Sequence, residues 1–337
     1  MTCLFLAVIL RVEGSPWLTG RVREILRLGF TRIAALAHSA TLKMTPCSPN
    51  RHFTSRHYTT GPCVTRSMQS VLAAIGSALG KAAYVLGIRK SVTMDNLRHA
   101  FRSMPQAELD RLAAHTYGNL GTVFFEMLYL RYASRQAIAD RLTITKQPEI
   151  EAVLREGKGM ILLSAHLANW EWMAVGTALR LRQPLYVIVK NQKDGAVERF
   201  LNAMRSRFGN VMIPAGDVRA CFRVLQQGKI LAMLGDQAAP FDSVKIEFFG
   251  RKVPTFEGVA RFALRTKAPI YLAECIRTDQ GDYTMTFHNV AFSDLTGATP
   301  ENVEELTKRH TSLLEQIIRK RPELWLWQHK RWKDARD

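Results

Sequence analysis

Residues 160–176 read MILLSAHLANWEWMAVG, an apolar run that stops abruptly at His166. Residues 160–165 are too short and too apolar for an exposed helix, and glycines punctuate their start, so they predict a buried strand. From Asn169 onward apolar residues recur at helical spacing, which predicts a helix with Asn169 as its N-cap. The stretch therefore predicts a strand, a turn that carries His166, and a helix.

The spacing of five residues between His166 and Glu171 restricts how their side chains can meet. Residues five apart in one regular helix differ by roughly 140° around its axis and would diverge. The two side chains can meet only if His166 lies on the turn and Glu171 lies in the first helical turn. There the helix macrodipole favours an ionised carboxylate, which can orient the imidazole and stabilise the imidazolium. A base with its orienting carboxylate is one interpretation, and a histidine that merely caps the helix is the other.

Strands and helices alternate beyond this turn. Strands are predicted at residues 184–189, 211–214 and 230–234, and helices at 195–208 and 218–227. This alternation predicts an α/β fold with a mostly parallel central sheet flanked by helices. His166, Lys190 and Asp236 each follow a predicted strand, so we expect them at one edge of the sheet.

Flanking segments complete the predicted elements. Residues 96–133 predict two helices that cap the sheet, and residues 301–320 predict an amphipathic helix. A hairpin is predicted around residues 250–252, a helix at 256–266, and an antiparallel pair at 270–276 and 283–288.

The motif HLANWE matches the His-x4-Asp/Glu block of glycerolipid acyltransferases, and SAHLANWEWMA resembles the late acyltransferases of lipid A biosynthesis, the lauroyl/myristoyl transferase family. Further stretches follow in the order of that family. They are NLRHAFRSM at 96–104, ILAMLGDQ at 230–237, EFFGRKVPTFEGVARFALRTKAPI at 247–270 and PELWLWQHKRWK at 322–333. The resemblance extends from about Met68 to the end of the sequence.

This resemblance implies a glycerolipid acyltransferase-like fold and transfer of a fatty acyl group to a hydroxyl of a lipid A precursor or similar phosphoglycolipid. The donor would be a thioester of acyl carrier protein or coenzyme A, and no further cofactor is implied. His166 would be the general base assisted by Glu171, and Asp236 matches an acidic position of the family. No Gly-x-Ser-x-Gly elbow is present, which fits direct attack without an acyl-enzyme.

Five residues are candidates for substrate binding. Lys190 stands where the family commonly has arginine, and lysine lacks the bidentate fork that suits phosphate. Asn191 beside it can donate a hydrogen bond. Arg207 and Arg261, and also Arg265, are candidates for gripping headgroup phosphates, with a solvated helix face as the alternative for each.

The net charge of +18 suggests an anionic partner: lipid headgroups, an acidic carrier protein or nucleic acid. No helix-turn-helix, zinc-ligand or RNA-binding signature is present, so we expect no nucleic-acid partner. The five cysteines show no paired short spacing and predict neither a disulfide framework nor a metal site. Chemistry facing a reducing cytoplasm is therefore favoured.

Three segments are predicted. Residues 1–67 hold nine Lys/Arg but only two acidic residues and resemble a transit peptide, yet we favour a disordered or non-native leader before a start at Met44 or Met68. Residues 68–94 are predicted as a membrane-associating helix and 95–337 as the acyltransferase domain. The apolar run 71–88 is interrupted by Lys81 and three glycines, which favours interfacial insertion over a span, with an ordinary core helix as the alternative.

The tail 322–333 alternates tryptophans with basic residues, which suits a membrane interface or the closure of a core. With the implied function, these features predict an anionic membrane partner, the cytoplasmic face of the bacterial inner membrane. Two rival functions are acylation of another glycolipid, such as a phosphatidylinositol mannoside, and an inactive membrane-bound scaffold. Intact His166, Glu171 and Asp236 argue against the scaffold.

Overall fold

The structure, a computed structural model, describes residues 66–190 and 195–333. Nearly all of the predicted leader and the candidate Asn191 lie outside the described residues. The predicted boundaries at residues 67 and 94 stay predictions.

A sheet of seven strands forms the centre of the molecule, with a separate two-stranded hairpin beside it. The strands are β1 Leu142–Ile144, β2 Met160–Ser164, β3 Leu185–Val189, β4 Val211–Pro214, β5 Ile230–Leu234, β6 Lys245–Phe248, β7 Arg251–Pro254, β8 Ile270–Arg277 and β9 Tyr283–Val290. The order in the large sheet is β1-β9-β8-β2-β5-β3-β4. Strands β1 and β9 run antiparallel to the other five strands, which are parallel to one another. The predicted mostly parallel sheet is therefore confirmed.

Helices flank this sheet. They are α1 Arg66–Val85, α2 Lys90–Ala100, α3 Gln106–Tyr132, α4 Arg135–Ala139, α5 Gln147–Arg155, α6 Trp170–Leu181, α7 Gly195–Arg205, α8 Val218–Gln226, α9 Gly258–Thr266 and α10 Pro300–Lys320. Short 3₁₀ turns follow at Ser206–Phe208 and Pro322–Leu324. One group of helices centres on α6, which contacts β1, β3, β8, α3 and α7. A second group is formed by α8, α9 and α10.

Strand β2 lies in the middle of the sheet, and all five of its residues are buried. Continuous apolar runs of this kind are typical of parallel strands covered on both faces. Its partner β5 pairs in register, with Met160 opposite Ile230 and Ser164 opposite Leu234. The two strands therefore end at the same level, and the chain leaves both at one edge of the sheet.

Helix α1 packs against α3 through glycines that allow the two backbones to approach closely. A methyl group at Gly76 would collide with the backbone of Gly121, and one at Gly121 would collide with that of Gly76. The predicted apolar run 71–88 thus forms a helix that ends at Val85 and buries one face against protein. Val85 and Leu86, at its end, are exposed.

Among the described helices, none alone is long and apolar enough to cross a membrane. Helices α1 and α2 taken together have the length and composition of a membrane span, but they are bent by 91° relative to each other.

The hairpin β6–β7 is closed by Phe249 and Gly250, with φ of 51° and 76°. Two consecutive positive φ values are typical of a type I′ turn, so the predicted hairpin is confirmed with its turn slightly earlier. The Phe249 ring packs edge-on against Trp327, at 5.8 Å between centroids. Trp325 and Trp327 are buried, so these two tryptophans close the core, which is the second of the two alternatives for the tail.

Candidate active site

The turn after β2 carries His166 as the sequence predicts. Ala168 adopts a left-handed φ of 50°, which redirects the chain, and α6 begins two residues later. The side-chain oxygen of Asn169 accepts a hydrogen bond of 2.9 Å from the backbone N–H of Trp172. Asn169 is therefore the N-cap of α6, which confirms that prediction.

The C-terminal tail holds the backbone of this turn. The backbone N–H of Leu326 donates to the carbonyl of His166 at 3.0 Å, and the N–H of Ala168 donates to the carbonyl of Leu324 at 2.8 Å. These two bonds form a short antiparallel bridge, which we call the tail bridge. Residues far apart in sequence thus fix the position of the histidine.

Asp236 binds the imidazole of His166. Its Oδ1 lies 2.9 Å from His166 Nδ1, and its Oδ2 accepts the backbone N–H of the same histidine at 3.0 Å. Both residues leave neighbouring in-register strands two positions beyond the pairing, which places them side by side. Nδ1–H donates a hydrogen bond to the carboxylate, so the free lone pair of the neutral imidazole lies on Nε2.

The other face of the imidazole is partly open. The amide nitrogen of Gln237 lies 3.4 Å from Nε2, and the Trp170 ring packs edge-on at 5.2 Å between centroids. The His166 side chain is 20% exposed, whereas that of Asp236 is 3% exposed. A buried acid that orients a partly accessible imidazole is the geometry of a general base.

The carboxylate of Asp236 is ionised in spite of its burial. Burial by itself would raise its pKa, but the charge of His166 and the hydrogen bonds from His166 and Trp325 outweigh that effect. The result lowers the pKa of Asp236 to about 2. Asp236 is thus negative at neutral pH and stabilises a proton taken up by the imidazole.

Glu171 has a different partner from the one that the spacing favoured. Arg205 of α7 donates from Nε to Glu171 Oε2 at 2.8 Å and from Nη2 to Oε1. The Glu171 side chain is 2% exposed and that of Arg205 is 18% exposed. The first turn of α6 faces α7, so the predicted contact between Glu171 and His166 is replaced by this ion pair.

A second buried carboxylate, Glu126 of α3, supports the N-cap of α6. Its Oε2 accepts from Asn169 Nδ2 at 2.9 Å and from the Tyr283 hydroxyl. Its Oε1 accepts from Gln69 Nε2 at 2.9 Å and from Arg277 Nε at 3.1 Å. Glu126 is 0% exposed, and these four donors satisfy it. No pattern in the sequence indicates this cluster, because its members are scattered along the chain.

Arg331 of the tail lies behind Asp236. Both line a cavity of about 10 Å³, together with Ser164 and His310. The guanidinium donates to the Pro254 carbonyl at 2.8 Å and is buried. Burial lowers the pKa of Arg331 to about 10, although the charge of Asp236 opposes that effect. The Arg331 guanidinium therefore places a positive charge near the Asp236 carboxylate.

The predicted substrate-binding residues lie outside this pair. Lys190 follows β3 and is exposed. Arg207 donates from Nη1 to the carbonyls of Leu130 and Ala133, and Arg261 pairs with Glu257 at 2.7 Å. Arg207 is thus bound to the end of α3, whereas Arg261 pairs with the N-cap residue of its own helix.

Within residues 66–190 and 195–333, no group of three His, Cys, Asp or Glu side chains is arranged to hold a metal ion.

Comparison with known proteins adds a family to this geometry. A family model described as bacterial lipid A biosynthesis acyltransferase matches residues 64–334. Two similar relatives are a lipid A biosynthesis palmitoleoyltransferase of Escherichia coli (strain K12) and a lipid A biosynthesis acyltransferase of Shigella flexneri. Each is 21% identical over 283 residues, which cover 78% of this chain and 85% of the relative.

Proposed function

Because the chain belongs to the bacterial lipid A biosynthesis acyltransferase family and is an acyltransferase, we propose that it transfers a fatty acyl group from a thioester to a hydroxyl of a lipid A precursor, with His166 as general base. The observation that carries the proposal is the contact of 2.9 Å between His166 Nδ1 and the buried Asp236 carboxylate. It fixes the tautomer whose Nε2 can accept a proton.

The reaction proceeds by direct attack. Nε2 of His166 takes the proton of the acceptor hydroxyl as its oxygen bonds to the thioester carbonyl carbon. The tetrahedral intermediate then collapses, the carbon–sulfur bond breaks, and the imidazolium returns the proton to the departing thiolate. Asp236 stabilises the imidazolium meanwhile, and general-base action of this kind contributes ~10²–10⁴ in rate. No bond to the protein forms.

Glu171 acts in this scheme through Arg205 rather than through the imidazole. Their buried ion pair joins the first turn of α6 to α7 and so holds one wall beside the histidine turn. Lys190, Asn191, Arg207 and Arg261 are proposed to meet the acceptor phosphates or the oxyanion. Support is strongest for Lys190, which is exposed at the carboxyl end of β3, the edge at which His166 and Asp236 lie.

The donor and the location follow from the same proposal. Acyl carrier protein and coenzyme A thioesters are cytoplasmic, so the enzyme would act at the cytoplasmic face of the bacterial inner membrane. The net charge of +18 and the exposed Val85 and Leu86 at the end of α1 support association with an anionic surface.

The test is incubation of the purified protein with a lipid A precursor in mixed micelles and with acyl-carrier-protein or acyl-coenzyme A donors. Mass spectrometry should show an acceptor heavier by one acyl unit. His166→Ala should abolish that product. His288→Ala is the matched control, because it removes an imidazole that pairs with Glu274 on the neighbouring strand. Product formation by His166→Ala at the wild-type rate would contradict the base assignment.

A further inference from the structure

The carboxylate of Asp236 has a third partner besides the two groups of His166. The indole N–H of Trp325 donates to Asp236 Oδ2 at 2.9 Å. That oxygen also accepts the backbone N–H of His166, so both oxygens of the carboxylate are occupied. Both side chains are buried, and water cannot replace the indole donor without rearrangement.

The tail fixes the indole from several directions. Trp325 packs edge-on against Trp327, at 4.7 Å between centroids, and against Phe248 at 5.7 Å. In the tail bridge Trp325 lies opposite Leu167, and its sequence neighbours Leu324 and Leu326 make the two backbone hydrogen bonds to Ala168 and His166. The position of Trp325 is therefore tied to the histidine turn through its neighbours, while its side chain contacts the aspartate.

We propose that Trp325 is a positioning residue for acyl transfer: its indole N–H fixes the Asp236 carboxylate and, through it, the imidazole of His166. Trp325 acts through Asp236 and need not contact the substrate. The inference rests on the proposed role of His166 as base. By holding Oδ2, the indole keeps Oδ1 aligned on Nδ1 and withdraws negative charge from the carboxylate.

Removal of the indole donor has a predictable sign. A carboxylate with one donor fewer carries more charge on its oxygens and stabilises the imidazolium more strongly, so His166 should hold its proton to higher pH. Among the described residues, the other charged or titratable groups near this pair are His329 and Arg331 of the tail and His310, which lines the small cavity with Asp236. None of the three is altered in a variant that changes only the indole.

The test compares Trp325→Phe with Trp327→Phe. Trp327 is a matched control because it is equally buried in the same tail but donates its indole N–H to the Pro322 carbonyl. The readout is the rate at which diethyl pyrocarbonate modifies His166, measured by peptide mass spectrometry as a function of pH. Only the unprotonated imidazole reacts. In Trp325→Phe the midpoint of this profile should rise by about 0.5 pH unit or more, and in Trp327→Phe it should not move.

Turnover gives a second readout. With Trp325→Phe, kcat should fall ~10-fold while KM for donor and acceptor changes little, since the indole orients the base without binding substrate. If Trp325→Phe fails to fold, β-(3-benzothienyl)alanine at position 325 keeps the shape of the indole and lacks its N–H. It should shift the midpoint in the same direction.

A midpoint that does not rise in either Trp325 variant, or that rises equally in Trp327→Phe, would overturn the inference. The modification profile does not depend on acyl transfer. A protein without acyltransferase activity but with the shifted profile would refute the proposed function and leave the contact of Trp325 with the pair established.

Discussion

At the scale of single residues, the Asp236 carboxylate lies among a histidine, an indole and a buried guanidinium. Burial would raise its pKa, but the charge of His166, together with three hydrogen bonds from His166 and Trp325, outweighs that effect and lowers the pKa to about 2. The imidazole that Asp236 orients belongs to a side chain that is 20% exposed. The same contacts thus keep the Asp236 carboxylate ionised and orient the His166 imidazole.

Asp236→Asn keeps the size of the side chain and removes its charge. An amide can present its N–H to Nδ1, which favours the tautomer that carries the proton on Nε2 and cannot act as a base. We expect kcat to fall by ~10²–10⁴ with little change in KM, measured by steady-state kinetics. Asp217→Asn, at the exposed N-cap of α8, is the control and should keep its activity. An Asp236→Asn enzyme with near wild-type kcat would exclude the tautomer argument.

Glu126→Gln tests the buried cluster under the N-cap of α6. The amide cannot accept from all four donors, and the Arg277 charge loses its partner. We expect the free energy of unfolding to fall by ~2–4 kcal/mol, measured by chemical denaturation. Glu149→Gln removes an exposed carboxylate that pairs with Lys146 and should change stability by less than ~1 kcal/mol. Equal effects of the two substitutions would mean that the cluster is not a stabilising feature.

At the scale of elements, the strands and helices that the sequence predicts are those with strong periodicity or buried runs. Residues 160–165, 211–214 and 230–234 were predicted within one residue of β2, β4 and β5. The strand β1 was not predicted, because three residues carry no period. Contacts between elements are harder to predict from the sequence, since the pairing of Glu171 with Arg205 depends on how α6 faces α7.

The site was predictable where strand ends decide it. His166 and Asp236 follow strands that are neighbours in the sheet, so their proximity could be predicted from the sequence. The roles of Trp325 and Arg331 were not, because only the return of the tail to the histidine turn brings them there. The choice of Glu171 as the orienting group came from proximity along the chain, which does not fix the direction of a side chain.

Gly121→Val tests the close packing of α1 against α3. The new side chain would meet the backbone at Gly76, and α1 must move away to admit it. We expect a loss of ~1–3 kcal/mol in stability and a lower Tm, measured by thermal unfolding. Ala78→Val, on the exposed face of α1, introduces the same side chain and should have little effect. A Tm for Gly121→Val equal to that of the control would show that the helices do not need their close approach.

At the scale of the whole molecule, stability is coupled to pH through a buried histidine. Burial lowers the pKa of His310 in α10 to about 4, from an ordinary value of 6.5. The folded protein therefore keeps His310 neutral where the unfolded chain would protonate it. Unfolding takes up this proton between these two pH values, so the contribution of His310 to stability is present above pH 6.5 and is lost as the pH falls toward 4.

His310→Gln should remove this part of the pH dependence. The proton uptake on unfolding near pH 5 should fall by about one proton, as derived from the slope of the unfolding free energy against pH. Thr311→Val is the control, because it alters the neighbouring buried residue of the same helix and cannot titrate. An unchanged slope in His310→Gln would show that the imidazole is protonated in the folded state.

The tail bridge also sets an order of events during protein synthesis. The ribosome makes the His166 turn, the strands around it and α10 before it makes Leu324 and Leu326, which hold that turn. A nascent chain arrested after α10 has the residues of the sheet and both members of the His166–Asp236 pair, but neither the backbone bonds nor the indole that fix them. We therefore expect such arrested chains to be inactive in acyl transfer, so that acylation begins only once translation has passed the tail.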